Sequence, residues 1–232
     1  MPQRRALPQR AMVSRGTGHH GWVRRGRLVA ATALALALLA GCTPAATVTG
    51  PSPTAPTPGF LGAELTEPYV LPDVTLEAST GAAFDLRTGS DRPVLVLYFG
   101  YTNCPDICLG VMTDLASALN RLPADVRAKV QVLLVTVDPE RDTPDVLATY
   151  LARIDPDFIG LTGRPETIAS VAAAVGVAIE GVEKRPDGGY DVNHTAQVIG
   201  VDAARRGVVV WTQGTPIGTY RADIERLVRQ QG

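Results

Sequence analysis

At the centre of this chain lies the segment Tyr98-Phe-Gly-Tyr-Thr-Asn-Cys-Pro-Asp-Ile-Cys108. A continuous apolar run, 93–99, leads into it and predicts a strand that is buried on both faces. An amphipathic run, 109–122, follows it and predicts a helix. Cys104 and Cys108 therefore lie where a helix begins, and we expect the rest of the domain to support these two thiols.

The spacing of Cys104 and Cys108 sets what they can do. Residues four apart lie about one turn apart on one face of a helix, so their sulfurs can close a disulfide or bind one soft metal ion. The positive end of the helix dipole predicts a lowered thiol pKa. The alternative is a pair of structural cysteines in a core, although reactive cysteines favour electropositive, partly exposed sites such as this one.

The first 41 residues have the composition of an export signal. They contain seven arginines and no acidic residue, and the apolar run 28–40 is too short for a membrane span of about 20 residues. The run ends Leu39-Ala-Gly-Cys42, which resembles a bacterial lipobox. We therefore predict a lipoprotein signal peptide over 1–41 and a lipidated Cys42 that holds the protein at the extracytoplasmic face of the cell membrane. An ordinary signal peptide ending near a cysteine is the alternative.

The mature chain is predicted to start with a tether. Residues 42–64 contain the lipidated cysteine and a segment rich in proline and threonine, which predicts a disordered linker. Without the signal, 15 basic residues face 23 acidic ones, so a nucleic-acid partner is not expected. The three cysteines become one anchor and one pair, and an exported location permits a disulfide. His194 is the only histidine left.

Residues 65–232 are predicted to form one α/β domain. The apolar run 130–137 is a second buried strand, and strand–helix–strand implies a parallel crossover. More helix, a β-hairpin and a closing helix follow, which is the order of a thioredoxin-like fold with a central mixed sheet flanked by helices. The other predicted strands are 71–76, 83–86, 177–183, 196–201 and 208–211, and the other predicted helices are 144–154, capped by Thr143, 165–175 and one around 220–228.

Three segments together resemble the SCO/SenC family of copper-binding assembly factors for cytochrome c oxidase. They are the cysteine segment 98–108, Val137-Asp-Pro-Glu-Arg-Asp-Thr-Pro144 and Tyr190-Asp-Val-Asn-His-Thr195. The resemblance covers about 65–228. It implies that Cys104, Cys108 and His194 bind copper, which passes to the binuclear copper centre of oxidase subunit II.

The chemistry of these residues agrees with the implied metal. Two thiolates suit Cu(I), and an added imidazole makes the site acceptable to Cu(II). A structural zinc site wants four closed ligands, and this chain offers three. A core histidine is the alternative for His194. The family usually has an acid where this chain has Asn193, and often a proline where it has Leu109, so the Cu(II) affinity and the local loop are expected to differ.

Two further predictions concern residues near these motifs. Asp138 follows the second buried strand, at the edge where sites of parallel sheets form, and is predicted to support the metal site. A surface or capping aspartate is the alternative. Glu140-Arg141-Asp142 is predicted to be a solvated turn with local ion pairs. Met112 is predicted to pack in the core rather than bind metal.

Copper delivery is the first functional hypothesis, which makes the protein a metallochaperone rather than an enzyme. The competing hypothesis is a thiol–disulfide oxidoreductase in which Cys104 and Cys108 cycle through a disulfide to reduce the cysteines of subunit II. Dedicated redox enzymes usually show C-x-x-C, and the spacing here is one residue wider. A peroxidase is a third candidate, but it would not need Cys108 and His194 together. A further copper chaperone or a thiol reductant completes the expected partners.

Overall fold

The computed structural model describes residues 59–105, 107–186 and 189–231. The predicted signal peptide, Cys42 and the linker as far as residue 58 lie outside these residues. The strands are β1 (Ala63–Val70), β2 (Thr75–Ala78), β3 (Ala83–Asp85), β4 (Val94–Gly100), β5 (Val130–Thr136), β6 (Ile159–Thr162), β7 (Ile179–Lys184), β8 (Tyr190–His194), β9 (Gln197–Val201) and β10 (Arg206–Thr212). The helices are α1 (Ile107–Leu119), α2 (Ala124–Arg127), α3 (Pro144–Ala152), α4 (Pro165–Ala174) and α5 (Ile217–Arg229).

Eight strands form one mixed sheet in the order β1-β10-β9-β4-β5-β6-β2-β3. In its middle, β4 pairs parallel with β5 and antiparallel with β9. Every residue of β4 and β5 is buried, as their unbroken apolar sequences predict for strands covered on both faces. The predicted α/β fold with a central mixed sheet is therefore confirmed.

Three strands, β1, β6 and β8, have no counterpart among the predicted strands, and the first two belong to the main sheet. β1 begins two residues before the predicted domain start at Leu65, and most of its residues are exposed, so no apolar alternation marks it. β6 has four residues and contains Gly160, where an added Cβ would come within 2.7 Å of the Leu147 side chain. Neither segment carries the hydrophobic periodicity by which a strand is recognised in sequence.

A buried carboxylate fixes the start of the domain. Asp223, on α5, accepts hydrogen bonds from the backbone N–H groups of Leu61 and Gly62, each at 2.8 Å. The indole N–H of Trp211, on β10, donates to the same carboxylate at 2.8 Å. The chain just before β1 is thus tied to the last strand and the last helix of the domain.

The helices agree with the sequence at their best-marked ends. The Thr143 side chain accepts a hydrogen bond from the Val146 N–H at the start of α3, and Pro144 occupies the first helical position, as predicted. α1 already includes Ile107 and Cys108, slightly earlier than predicted, and ends at Leu119. Within the described ranges, no helix is both long and apolar enough to cross a membrane.

Strands β7 and β8 do not belong to the main sheet. They form an antiparallel hairpin of their own, in which Ile179 lies opposite His194. Most of the β7 side chains are exposed, and Val192 is the one buried residue of β8. We call the segment from Ile179 to His194 the histidine hairpin.

Candidate metal centre

The cysteine loop begins where β4 ends, at Gly100. A Cβ placed on Gly100 would lie 2.8 Å from Cε1 of Tyr98 and 3.1 Å from Sγ of Cys108. Both distances are shorter than ordinary contacts, so a side chain here would displace the Cys108 sulfur or the tyrosine ring. Glycine at this position therefore lets Cys108 pack directly against the end of the central strand.

The buried side chain of Asp142 holds the same loop by hydrogen bonds. Its carboxylate accepts hydrogen bonds from the Thr102 N–H at 2.9 Å, the Thr102 hydroxyl at 2.6 Å and the Thr136 hydroxyl at 2.7 Å. Asp142 is 0% exposed. The prediction of a solvated turn at 140–142 is therefore wrong for Asp142, because its partners come from β5 and from the cysteine loop, which a local charge pattern cannot reveal.

Cys104 and Cys108 are both reduced in this structure, with no disulfide between them. Cys104 is half-buried, whereas Cys108 is 1% exposed and packs in the core. The hydrogen bond with Cys104, and next the burial of the side chain, raise the pKa of Cys108. The expected lowering of the thiol pKa by the helix is thus wrong for Cys108, since a proton shared with a neighbouring sulfur and the apolar surroundings outweigh the helix dipole.

His194 ends β8 and has a defined proton position. Its Nδ1 lies 3.1 Å from the Thr195 carbonyl oxygen, which can only accept, so Nδ1 carries the proton. Burial lowers the pKa of His194, which keeps the imidazole neutral near pH 7. Nε2 therefore keeps its lone pair and is the nitrogen available to a metal ion.

The three predicted ligands face one pocket of about 230 Å³, which Tyr101, Asp191 and Asn193 also line. They do not meet at one point: among the described residues, no three Cys, His, Asp or Glu side chains form a group that could hold a metal ion. The donor set of two sulfurs and one neutral imidazole nevertheless suits copper better than a hard cation. Predicted disulfide and ligand roles for Cys104, Cys108 and His194 stay predictions.

Tyr101 links the cysteine loop to the histidine hairpin. Its hydroxyl donates to the Asp191 carboxylate at 3.3 Å and accepts from the Val192 N–H at 3.3 Å. Its ring meets the His194 imidazole edge to face, with the centroids 6.2 Å apart. Tyr101 escapes sequence reasoning because nothing local distinguishes it from a core tyrosine, and its partners lie about 90 residues further along the chain.

Asp138 does not line the pocket but supports the hairpin. Its carboxylate accepts a short hydrogen bond from Nε of Arg141 and another, at 2.9 Å, from the Tyr190 hydroxyl. The Arg141 guanidinium lies 3.7 Å from the centre of the Tyr190 ring and 5.7 Å from that of Tyr101. Asp138 is itself buried, so its position favours an indirect role, through the strand that carries His194. Met112 is fully buried in the core, as predicted.

Known proteins resemble this chain over the whole domain. A sequence model described as SCO1/SenC matches residues 63–229. A putative copper-binding protein of Stutzerimonas stutzeri is 38% identical over 114 residues, which are 48% of this chain and 55% of that protein. The chain spans about half the length of the curated relatives it matches, or less.

Several solved structures share the fold at more than a quarter sequence identity. The copper-bound crystal structure of Arabidopsis thaliana ScoI is 27% identical with a TM-score of 0.61, over 71% of this chain and 98% of that one. The solution structure of apo Sco1 from Thermus thermophilus is 33% identical with a TM-score of 0.60, over 75% and 96%. The predicted thioredoxin-like architecture is that of these structures.

Proposed function

The chain belongs to the SCO1/SenC family, and from this premise we propose that it carries copper to the binuclear copper centre of cytochrome c oxidase subunit II. The observation that carries the proposal is that Cys104, Cys108 and His194 all line one pocket. Two sulfurs hold Cu(I), and a neutral imidazole adds the third ligand that Cu(II) favours. A site with three protein ligands leaves an acceptor protein room to bind the departing ion.

Copper in this proposal is cargo, and its loading involves movement of the histidine hairpin. The two sulfurs already contact each other through a hydrogen bond, whereas His194 is not clustered with them. Binding therefore starts on the thiols, and His194 joins when the hairpin approaches. The hydrogen bonds of Tyr101 to this hairpin are long, each 3.3 Å, so they oppose such a shift only weakly.

The decisive experiment measures copper stoichiometry in purified protein with Cys42→Ser, so that the third thiol does not contribute. We expect about one tightly bound Cu(I) per chain, lost in Cys104→Ala and in Cys108→Ala. His194→Ala should keep Cu(I) but lose stable Cu(II). Met112→Leu is the matched control, because Met112 is a buried sulfur residue outside the pocket and should leave both stoichiometries unchanged.

Thiol–disulfide exchange is the second candidate, favoured by the unequal exposure of the two thiols. The accessible Cys104 sulfur would attack a disulfide of the substrate and release one substrate thiol. The buried Cys108 would then displace the second thiol and leave a Cys104–Cys108 disulfide, so that two electrons pass to the substrate. A protein that binds no tight copper but cycles this disulfide readily would favour the oxidoreductase over the chaperone.

We also propose that lipidated Cys42 anchors the mature protein to the outer face of the cell membrane. The proposal depends on the basic segment, the short apolar run and the Leu39-Ala-Gly-Cys42 sequence. Cells grown with a labelled fatty acid should transfer the label to the wild-type chain, which should sediment with membranes. Cys42→Ala should lose both the label and the membrane association, and a label that persists in this variant would contradict the anchor.

A further inference from the structure

Tyr98 has a buried hydroxyl with no hydrogen bond to any residue in the part of the chain that the structure describes. Its side chain is 0% exposed, in the middle of the central strand β4. Buried polar atoms are paired in the great majority of cases, and an unpaired one costs stability. Phenylalanine would fill the same space without that cost, so the hydroxyl calls for an explanation.

The Tyr98 ring lies beside the Cys108 sulfur. The Tyr98 ring and Cys108 Sγ pack against the same point of the backbone, since a Cβ on Gly100 would touch both, at 2.8 and 3.1 Å. The two groups also affect each other: after burial, Cys108 is the largest cause that raises the pKa of Tyr98. The Tyr98 hydroxyl in turn lowers the pKa of the Cys108 thiol. It is thus close enough to interact but forms no bond of normal geometry with the neutral thiol.

A thiol becomes a much better acceptor when it loses its proton. A neutral S–H is a weak hydrogen-bonding group, whereas a sulfur that carries negative charge forms charge-assisted hydrogen bonds about twice as strong. We propose that the Tyr98 hydroxyl is a donor held in reserve for the Cys108 sulfur, which it hydrogen-bonds once copper replaces the thiol proton. The thiol proton leaves to solvent, and Tyr98 keeps its own.

The inference rests on the proposed copper binding, and it makes Tyr98 a positioning residue rather than a ligand. It also predicts effects of opposite sign in two states. Removing the hydroxyl should leave the copper-free protein as stable as before, or more stable, because an unpaired group disappears. The same change should weaken Cu(I) binding, because the Cys108 sulfur loses its donor. If Tyr98 served only for packing, loss of its hydroxyl would leave Cu(I) binding unchanged.

The test compares Tyr98→Phe with Tyr220→Phe in the full-length protein. Tyr220 is also almost fully buried but packs against Trp211, away from the pocket, and its hydroxyl interacts with Thr215. For Tyr98→Phe we expect a Tm of the copper-free protein no lower than wild type and a Cu(I) affinity about tenfold lower, measured by competition with a chromophoric chelator. Tyr220→Phe should lower Tm and leave the affinity unchanged.

The outcomes separate this inference from the function on which it rests. Wild-type protein that binds no Cu(I) would overturn both. Wild type and Tyr98→Phe that bind Cu(I) equally well would overturn the role of Tyr98 alone. A Tm of copper-free Tyr98→Phe well below wild type would show that the hydroxyl already has a partner, and would likewise overturn the idea of a reserved donor.

Discussion

The two sides of the pocket are held very differently. The cysteine loop is fastened to the sheet by Asp142, a buried carboxylate with three hydrogen bonds of 2.6 to 2.9 Å. The histidine hairpin is fastened mainly by longer hydrogen bonds of 3.3 to 3.4 Å, from Tyr101 and Arg141, and by one closer bond of 2.9 Å from the Tyr190 hydroxyl to Asp138. The hairpin also lies outside the main sheet and is mostly exposed.

This difference assigns separate tasks to the two sides. The thiols stay in place on a rigid strand–helix junction, as suits a pair that must meet a metal ion or each other in one geometry. The imidazole sits on a mostly exposed hairpin outside the main sheet, and segments with few buried contacts are typically the ones that move on binding. Substitution of Asp142 should therefore disturb the cysteine loop, whereas substitution of Tyr101 or Arg141 should disturb the histidine hairpin.

The largest effect is expected from Asp142→Ala, which removes the fastening of the cysteine loop. Three donors would lose their acceptor, and we expect a loss of about 3 kcal/mol in the free energy of unfolding, measured with urea. Copper binding should fall as well, since Thr102 no longer holds the loop. Asp157→Ala is the control, because Asp157 is 55% exposed and pairs only loosely with Arg127, at 3.7 Å. Equal losses in both variants would contradict the anchoring role of Asp142.

Arg141→Ala should have the next largest effect, on the histidine hairpin. The variant leaves the buried Asp138 carboxylate without its cation and removes the stacking on Tyr190, for which we expect about 2 kcal/mol. Amide hydrogen exchange should become faster in the hairpin than in β4 and β5. Arg153→Ala provides the comparison, since Arg153 is an exposed arginine at the end of α3. Uniformly faster exchange throughout the sheet would mean that Arg141 stabilises the whole domain instead.

Tyr101→Phe tests the same fastening more gently. Only the hydroxyl is lost, with its bonds to Asp191 and Val192, so we expect about 1 kcal/mol of local destabilisation. If His194 and the thiols have the proposed ligand roles, Cu(II) affinity should fall with the displaced imidazole, while Cu(I) affinity should hold. Electron paramagnetic resonance of the Cu(II) form reports the imidazole ligand. Parallel losses of both affinities would deny that the two sides are independent.

The smallest effect concerns pH and the His194 side chain. Burial lowers its pKa below the ordinary 6.5, so below that pH the unfolded chain binds a proton more readily than the folded one. The free energy of unfolding of the copper-free protein should therefore fall as pH falls from 6.5 through the folded-state pKa. Above pH 6.5, His194 should add no pH dependence to it. Urea titrations at several pH values should show that His194→Gln removes this slope. A slope of the opposite sign would mean that the folded state favours the imidazolium.

The elements that could be predicted from the sequence are those marked by a local pattern. β4 and β5 follow from unbroken apolar runs, α3 follows from Thr143 and Pro144, and the cysteine pair follows from its spacing. The hydrogen bonds that hold the two sides of the pocket could not be predicted, because each joins residues distant in the chain: Thr102 with Asp142, and Tyr101 with Asp191. Tyr98 was missed for another reason, since a tyrosine in a buried strand has the same hydrophobic pattern whether or not its hydroxyl is paired.

The hydrogen bonds of Asp223 to Leu61, Gly62 and Trp211 have a mechanical consequence. If the domain is tethered to a membrane, any movement of the anchor would apply a pulling force to the chain at residue 59, where the described domain begins. That pull meets the Asp223 carboxylate first, and behind it the ladder of β1 on β10. The load would pass into α5 and β10 at one edge of the sheet, while β4 and the cysteine loop lie inside it. The pocket would thus be isolated from tension in the proposed lipid tether.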